Sequence, residues 1–214
     1  MKKSLRKALI VAGIAFSSCS SPVLAGESGF YGTAAVGLTS FDDTDWNFET
    51  TSTYDGQFKY NSGFNWELGF GYDFGGRFRT ELTYLQAEGP LGVATFDQTD
   101  GQSITGTGGV TIGGFVASAY VDILKDSKFT PYLGGGIGSF SVDTDTGTIA
   151  GVDIGGNSQS TMGYRFKAGA SYDLGKSDIF AEFTYLGVES QTIDSVNYAA
   201  IGGYGFLSGV RYKF

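Results

Sequence analysis

The sequence predicts an all-β chain, an eight-stranded antiparallel up-and-down transmembrane β-barrel, from three observations. Segments of about ten residues alternate between apolar and polar side chains, aromatic residues gather near the ends of those segments, and the chain opens on a secretory leader. The alternation is clearest from Phe64 to Phe74. There Phe64, Trp66, Leu68, Phe70, Tyr72 and Phe74 oppose Asn65, Glu67, Gly69, Gly71 and Asp73. A period of two gives a strand one greasy face and one polar face. A soluble barrel would turn the greasy face inward. The leader and the aromatic ends favour the inverted arrangement, with lipid outside and a polar interior.

The leader sets the compartment. Lys2, Lys3, Arg6 and Lys7 form a basic start, Ala8 to Phe16 an apolar core and Val23-Leu24-Ala25 a cleavage site, so residues 1–25 read as a signal peptide and 26–214 as the barrel domain. The apolar core is too short to cross a bilayer as a helix, and no later run approaches the ~20 residues a helix needs. Any membrane span must be built of strands. The one cysteine, Cys19, lies within the leader. Phe16-Ser17-Ser18 is a poor lipobox, so removal with the leader is favoured over lipidation. The mature chain then has no thiol or disulfide chemistry.

Strands are predicted near 30–41, 64–74, 77–85, 112–124, 129–140, 162–174, 178–186 and 199–214. The connections at 75–76, 125–128 and 175–177 are short. Those at 42–63, 86–111, 141–161 and 187–198 are long and rich in Asp, Ser, Thr and Gly, the outer-membrane pattern of periplasmic turns and extracellular loops. The first hairpin is used twice: Gly71-Tyr72-Asp73-Phe74-Gly75 leads into Glu81-Leu82-Thr83-Tyr84-Leu85, and Ser171-Tyr172-Asp173-Leu174-Gly175 into Glu182-Phe183-Thr184-Tyr185-Leu186, with one extra residue in the second turn. In the fourth strand Phe115, Ala117, Ala119, Val121 and Ile123 suit lipid, with Ser118, Tyr120 and Asp122 inward. The stretch Pro131–Phe140 is too glycine-rich to assign a face. Its glycines read as space for bulky neighbours rather than as a phosphate cradle, since no helix follows to bind an anion.

The Tyr-Asp-Phe/Leu turns, the strand Tyr132-Leu133-Gly134-Gly135-Gly136-Ile137-Gly138 and the final Gly209-Val210-Arg211-Tyr212-Lys213-Phe214 resemble the OmpA-like and OmpX-like family of eight-stranded outer-membrane β-barrels, the porin-family group. The resemblance implies a place in the bacterial outer membrane, contact with its lipid and lipopolysaccharide, and no cofactor. It also implies that Tyr212 and Phe214 resemble the signal read by the barrel-assembly machinery. Nothing follows the last strand, so a peptidoglycan-binding domain is not expected.

Charge separates two surfaces. The full chain has 14 basic and 22 acidic residues. Loss of the four leader bases leaves 10 against 22, a net of −12, which argues against a nucleic-acid partner. The four long loops hold 13 of the acids and one base, Lys59. Strand positions assigned to the lumen hold six acids (Glu67, Asp73, Glu81, Asp122, Asp173, Glu182) and six bases (Arg77, Arg79, Arg165, Lys167, Arg211, Lys213). Balance is what buried charge requires. The set reads either as a paired network filling the lumen or as an ion path, and the narrowness of eight strands favours the first. Asp42-Asp43-Thr44-Asp45 and Asp143-Thr144-Asp145 lack the glycine and glutamate of an EF-hand loop and do not argue for a metal. Otherwise the acidic loops read as solvated and mobile.

The chain has no histidine, which removes the usual general base and metal ligand, so it reads as a non-enzyme. The expected function is that of a small outer-membrane barrel acting in envelope integrity and, through its loops, in adhesion or contact with a host or cell-surface ligand. The alternative is a narrow porin-like channel for ions or very small solutes.

Overall fold

The computed structural model describes residues 28–48, 56–96, 102–104, 108–124, 127–145, 147–149, 152–154, 156–193, 196–198 and 200–214. The leader with Cys19 lies outside the described residues, as do Glu49, Asp55, Asp97, Asp100 and Asp194 of the acidic loops.

Eight long strands build the wall: β1 (Gly29–Phe41), β2 (Gly63–Asp73), β3 (Phe78–Phe96), β4 (Gly109–Asp122), β5 (Phe129–Thr144), β6 (Asn157–Asp173), β7 (Ser177–Val188) and β8 (Ile201–Lys213). Each pairs antiparallel with its chain neighbours. β1 pairs with β8 from Tyr31↔Lys213 to Phe41↔Gly203, which closes the sheet. Closure satisfies the row of backbone groups that an open edge would leave bare in hydrocarbon. No helix of the described residues is long and apolar enough to cross a membrane.

The alternation decides which side is out. Phe70, Leu82, Ile137, Phe166 and Phe206 are each more than half exposed, whereas Glu67, Arg165 and Glu182 are at most 3% exposed. Grease faces outward and charge faces inward, the reverse of a water-soluble fold. Outward-facing aromatics form two belts. Near the turns, Phe30 stacks on Phe70 at 5.5 Å and meets Tyr72 at 4.9 Å, while Tyr212 and Phe214 meet at 5.5 Å. Towards the loops, Trp66, Tyr84 and Phe115 form one run, and Tyr164, Tyr185 and Tyr204 another. Such girdles mark the two edges of the hydrocarbon layer.

In β5 the face that the sequence leaves unassigned is settled: Tyr132, Gly134, Gly136, Gly138 and Phe140 point inward, Leu133 and Ile137 outward. The inward glycines accommodate rings from neighbouring strands. A Cβ at Gly134 would stand 2.3 Å from the Tyr120 ring, one at Gly71 2.3 Å from that of Tyr31, and one at Gly209 2.6 Å from that of Phe180. Each ring lies where a side chain is missing across the lumen wall, which is how a narrow barrel holds so many aromatics. Gly134→Ala is therefore expected to cost about 1–3 kcal/mol, read as a lower urea midpoint for unfolding from lipid vesicles.

The repeated hairpins turn alike but differ in register. In each, the aspartate accepts a bond from the amide of a positive-φ glycine two residues on: Gly75 N to Asp73 Oδ1 at 2.8 Å and Gly175 N to Asp173 Oδ1 at 2.7 Å. Asp73 faces Arg79 across the first turn and Asp173 faces Asp178 across the second, so the second turn is one residue shorter, not longer. β7 therefore holds two more residues than β3 between the turn and the glutamate, an even shift that keeps the side chain on the inner face. Those two residues lift Glu182 to pair with Gly169, whereas Glu81 pairs with Gly71, so the two matched glutamates stand at different heights.

The long loops are shorter than the sequence suggests because the strands continue beyond the expected ends. β3 runs to Phe96, β5 to Thr144, and β4 and β6 start at Gly109 and Asn157. Nor are the acidic loops merely solvated coil. The segments Thr44–Phe48, Gly56–Tyr60, Gln102–Ile104, Gln191–Ile193 and Val196–Tyr198 pair with one another and with the upper end of β3, making a sheet above the barrel. Gly147–Ile149 and Val152–Ile154 form a separate hairpin.

Candidate functional site

The lumen is layered. Next to the turns, Lys213 Nζ lies 2.7 Å from Asp178 and 3.3 Å from Asp173, and Arg211 Nη1 donates to Asp178 Oδ2 at 3.2 Å. Above them Arg79 Nε donates to Asp122 Oδ1 at 3.2 Å. The Arg79 guanidinium also sits 4.0 Å over the Tyr120 ring and 4.6 Å over that of Tyr132. Those ring faces partly replace the hydration that burial removes.

The middle layer spans the barrel. Glu67, on β2, accepts from Arg165 Nη1 at 2.7 Å and also meets Lys167 Nζ, both on β6. In a ring of eight strands β2 and β6 stand four apart, so these contacts cross from one wall to the other. Lys167 reaches on to Glu182 at 2.5 Å, and the Tyr132 hydroxyl donates to the same carboxylate at 2.9 Å. Glu81 is held differently, by the hydroxyls of Thr83 at 2.9 Å and Tyr120 at 3.2 Å. The expectation of a basic partner for Glu81 gives way to neutral donors. The cause is the register difference, which lifts Glu182 rather than Glu81 to the level of Lys167.

Among the described residues the upper layer buries no charge. Phe41, Leu85, Val110, Ile112, Phe140 and Val142 form a buried cluster with Leu186, Val188 and Ile201 at the loop end, and Tyr60 packs against it. This apolar cap is absent from the sequence reading.

Eleven of the twelve predicted lumen charges fall on the inner face, at two depths. Glu67, Arg79, Glu81, Asp122, Arg165, Lys167, Glu182 and Arg211 are buried, while Lys213 is half-buried at the turn-side mouth. Asp173 and Asp73 lie at that same mouth, half-buried, and act as turn caps. Arg77 is exposed: it precedes β3 in the turn, and its carbonyl accepts from the Asp122 amide. Asp178, absent from the prediction, is 4% exposed and binds two of the bases. Its spacing of four from Glu182 places it on the same face, a signal the sequence did carry. With Asp178 included, the buried set is five acids and four bases.

Tyr212 and Phe214 are both exposed on the lipid side at the end of β8. Phe214 also lies 6.2 Å from Phe70 across the closing strands.

The family model described as outer membrane protein beta-barrel domain matches residues 11–214. No curated protein matches the chain in sequence. Among solved structures the chain is similar to Neisserial surface protein A, at 19% identity with a TM-score of 0.56, covering 88% of this chain and 99% of that one. It is similar to the outer membrane protein OprG of Pseudomonas aeruginosa at 13% identity, TM-score 0.60, covering 90% and 99%. It is also similar to the outer membrane protease OmpT of Escherichia coli at 11% identity, TM-score 0.50, covering 87% and 97%.

Proposed function

Because the chain belongs to the outer membrane protein β-barrel domain family, we propose that it serves the bacterial outer membrane as a closed barrel, supporting envelope integrity and making surface contacts through its extracellular loops. The observation that carries this reading is the filling of the lumen. Ion pairs bridge opposite walls at mid-height, and the loop end is lined by the buried apolar cluster around Ile112 and Phe140, the kind of constriction that excludes water and ions. Surface work then belongs to the acidic loops and the sheet they build. The absence of histidine from the chain supports a non-enzymatic role. Tyr212 and Phe214, displayed at the end of β8, suit recognition by the barrel-assembly machinery.

Refolded protein in planar bilayers is expected to give no unitary currents, and cells bearing it should lose adhesion when the loops are trimmed. Reproducible wild-type openings would overturn the closed reading in favour of a narrow channel. Cysteines placed at Ser190 and Lys176 report orientation. An impermeant thiol reagent on intact cells should label position 190 and spare 176.

A further inference from the structure

The outer wall carries two neighbouring recesses, a lower one running over β2 to β6 and a higher one over β3 to β6, and neither is part of the ion-pair network or the loop sheet. In the lower recess the small residues Ala117, Ala119 and Gly135 form a floor between Tyr72 and Leu82 on one side and Ile137 and Phe166 on the other. This groove faces the hydrocarbon layer.

Higher on the same strands the outward residues change class. Gln86, Thr111, Ser139, Ser141, Asp143 and Ser160 line a notch of about 340 Å³ together with Gly113. The Tyr84 hydroxyl lies 3.3 Å from where a Cβ on Gly113 would stand, so a larger residue there would close the notch. Tyr84 and Phe115, meeting edge to face at 5.0 Å, place the notch at the loop-side aromatic belt. The groove runs obliquely from Phe70 and Tyr72 of the turn-side belt to Tyr164 of the loop-side belt, so it lies at the depth of acyl chains, and the notch lies at the depth of the outer headgroups.

The chemistry selects the headgroup. Among the described residues no basic side chain lines either recess, and the notch's charged group is Asp143, which already accepts from Ser141 Oγ at 3.1 Å. Ser141 Oγ also shares a bond of 3.0 Å with Ser158 Oγ. A phosphate would want cations or a cluster of amides. Hydroxyls around one carboxylate instead match a sugar, whose own hydroxyls both donate and accept. We propose that this wall binds one molecule of an outer-leaflet glycolipid, with an acyl chain in the groove and a sugar in the notch. The proposal deepens the envelope role above, resting on it for the membrane location, and its readout is lipid retention rather than adhesion or conductance.

Full-length protein refolded in detergent, offered equal amounts of a glycolipid and a phospholipid with matched acyl chains, is to be measured by native mass spectrometry. Wild type is expected to retain one glycolipid with about tenfold preference. Gly113→Leu, which closes the notch, should abolish the preference while leaving the folded form on unheated gels. Ala119→Phe, which fills the floor, should lower retention of both lipids. Ser208→Leu, outward on the opposite strand β8, should behave as wild type. Equal retention of the two lipids by wild type, or unchanged glycolipid preference in Gly113→Leu, overturns the proposal. Binding of the acyl-free oligosaccharide as tightly as the whole glycolipid overturns it as well, as does loss of preference in Ser208→Leu.

Discussion

Glu67→Gln is expected to destabilise the folded barrel by about 3–5 kcal/mol, the range for breaking a buried ion pair by removing one partner. Glu67 is 2% exposed and holds two cations at once, Arg165 and Lys167. Arg165 reaches it through Nη1, while Nε and Nη2 of the same guanidinium meet no acceptor. Removing the charge leaves a buried arginine with little to offset its desolvation, and leaves Lys167 with Glu182 alone. Urea titration in lipid vesicles should show a lower midpoint, and unheated gels a smaller folded fraction. Glu67→Gln combined with Arg165→Gln should recover part of the loss, since the pair would then leave fewer unmet charges. A midpoint unmoved by Glu67→Gln would mean that the cross-lumen contacts contribute nothing.

Leu68→Arg is expected to cost about 2–4 kcal/mol, the range for a cation at the midplane of a barrel's lipid face. Leu68 is 55% exposed and stands on β2 between Trp66 of one aromatic belt and Phe70 of the other. Phe70→Arg should cost less. Phe70 packs with Phe30 and Phe214 in the turn-side belt, where a long cation can reach the interface. Neighbouring Gly69 is no tolerant control despite facing the lumen, because a Cβ there would lie 2.3 Å from Thr33 Oγ1 and 3.0 Å from the Glu81 carboxyl. Vesicle refolding yields for the two arginine variants, compared side by side, check the depth assignment. Equal losses at 68 and 70 would place the bilayer differently along the strands.

The faces of β2, β6 and β8 were legible because their alternation keeps one phase along the whole membrane span. The ends of β3, β4 and β5 were not, and the residues show why. In β3, Leu82 and Tyr84 face out and Glu81 and Thr83 face in, but four residues later Gln86 and Glu88 face out and Leu85 and Ala87 face in. In β4 and β5, Ile112 and Val142 face in while Thr111 and Ser141 face out. The polarity of the two faces exchanges where the wall leaves lipid for water, and a pattern that changes phase reads as the end of a strand. The apolar cap was hidden by the same exchange. Within the lumen, residue types and faces were readable, whereas which acid meets which base depends on register. A two-residue difference in strand register between two hairpins sends Lys167 to Glu182 and leaves Glu81 to hydroxyls, and the sequence shows only the net one-residue insertion, which reads as a longer turn.

The contacts across the middle of the lumen also bear on how the protein is built. Glu67 meets partners 98 and 100 residues further along the chain. Those partners reach it only once the sheet has curled far enough to bring β6 opposite β2, and the curl is fixed only when β8 docks on β1. An intermediate that holds the first five strands has Glu67 already folded inward with no cation facing it, and has Arg79 placed but not yet Arg165 or Lys167. Contacts so distant in sequence carry a large closure entropy and form late. Partial insertion is thus penalised by the same charges that stabilise the finished barrel, which favours inserting the eight strands together over holding a half-built sheet.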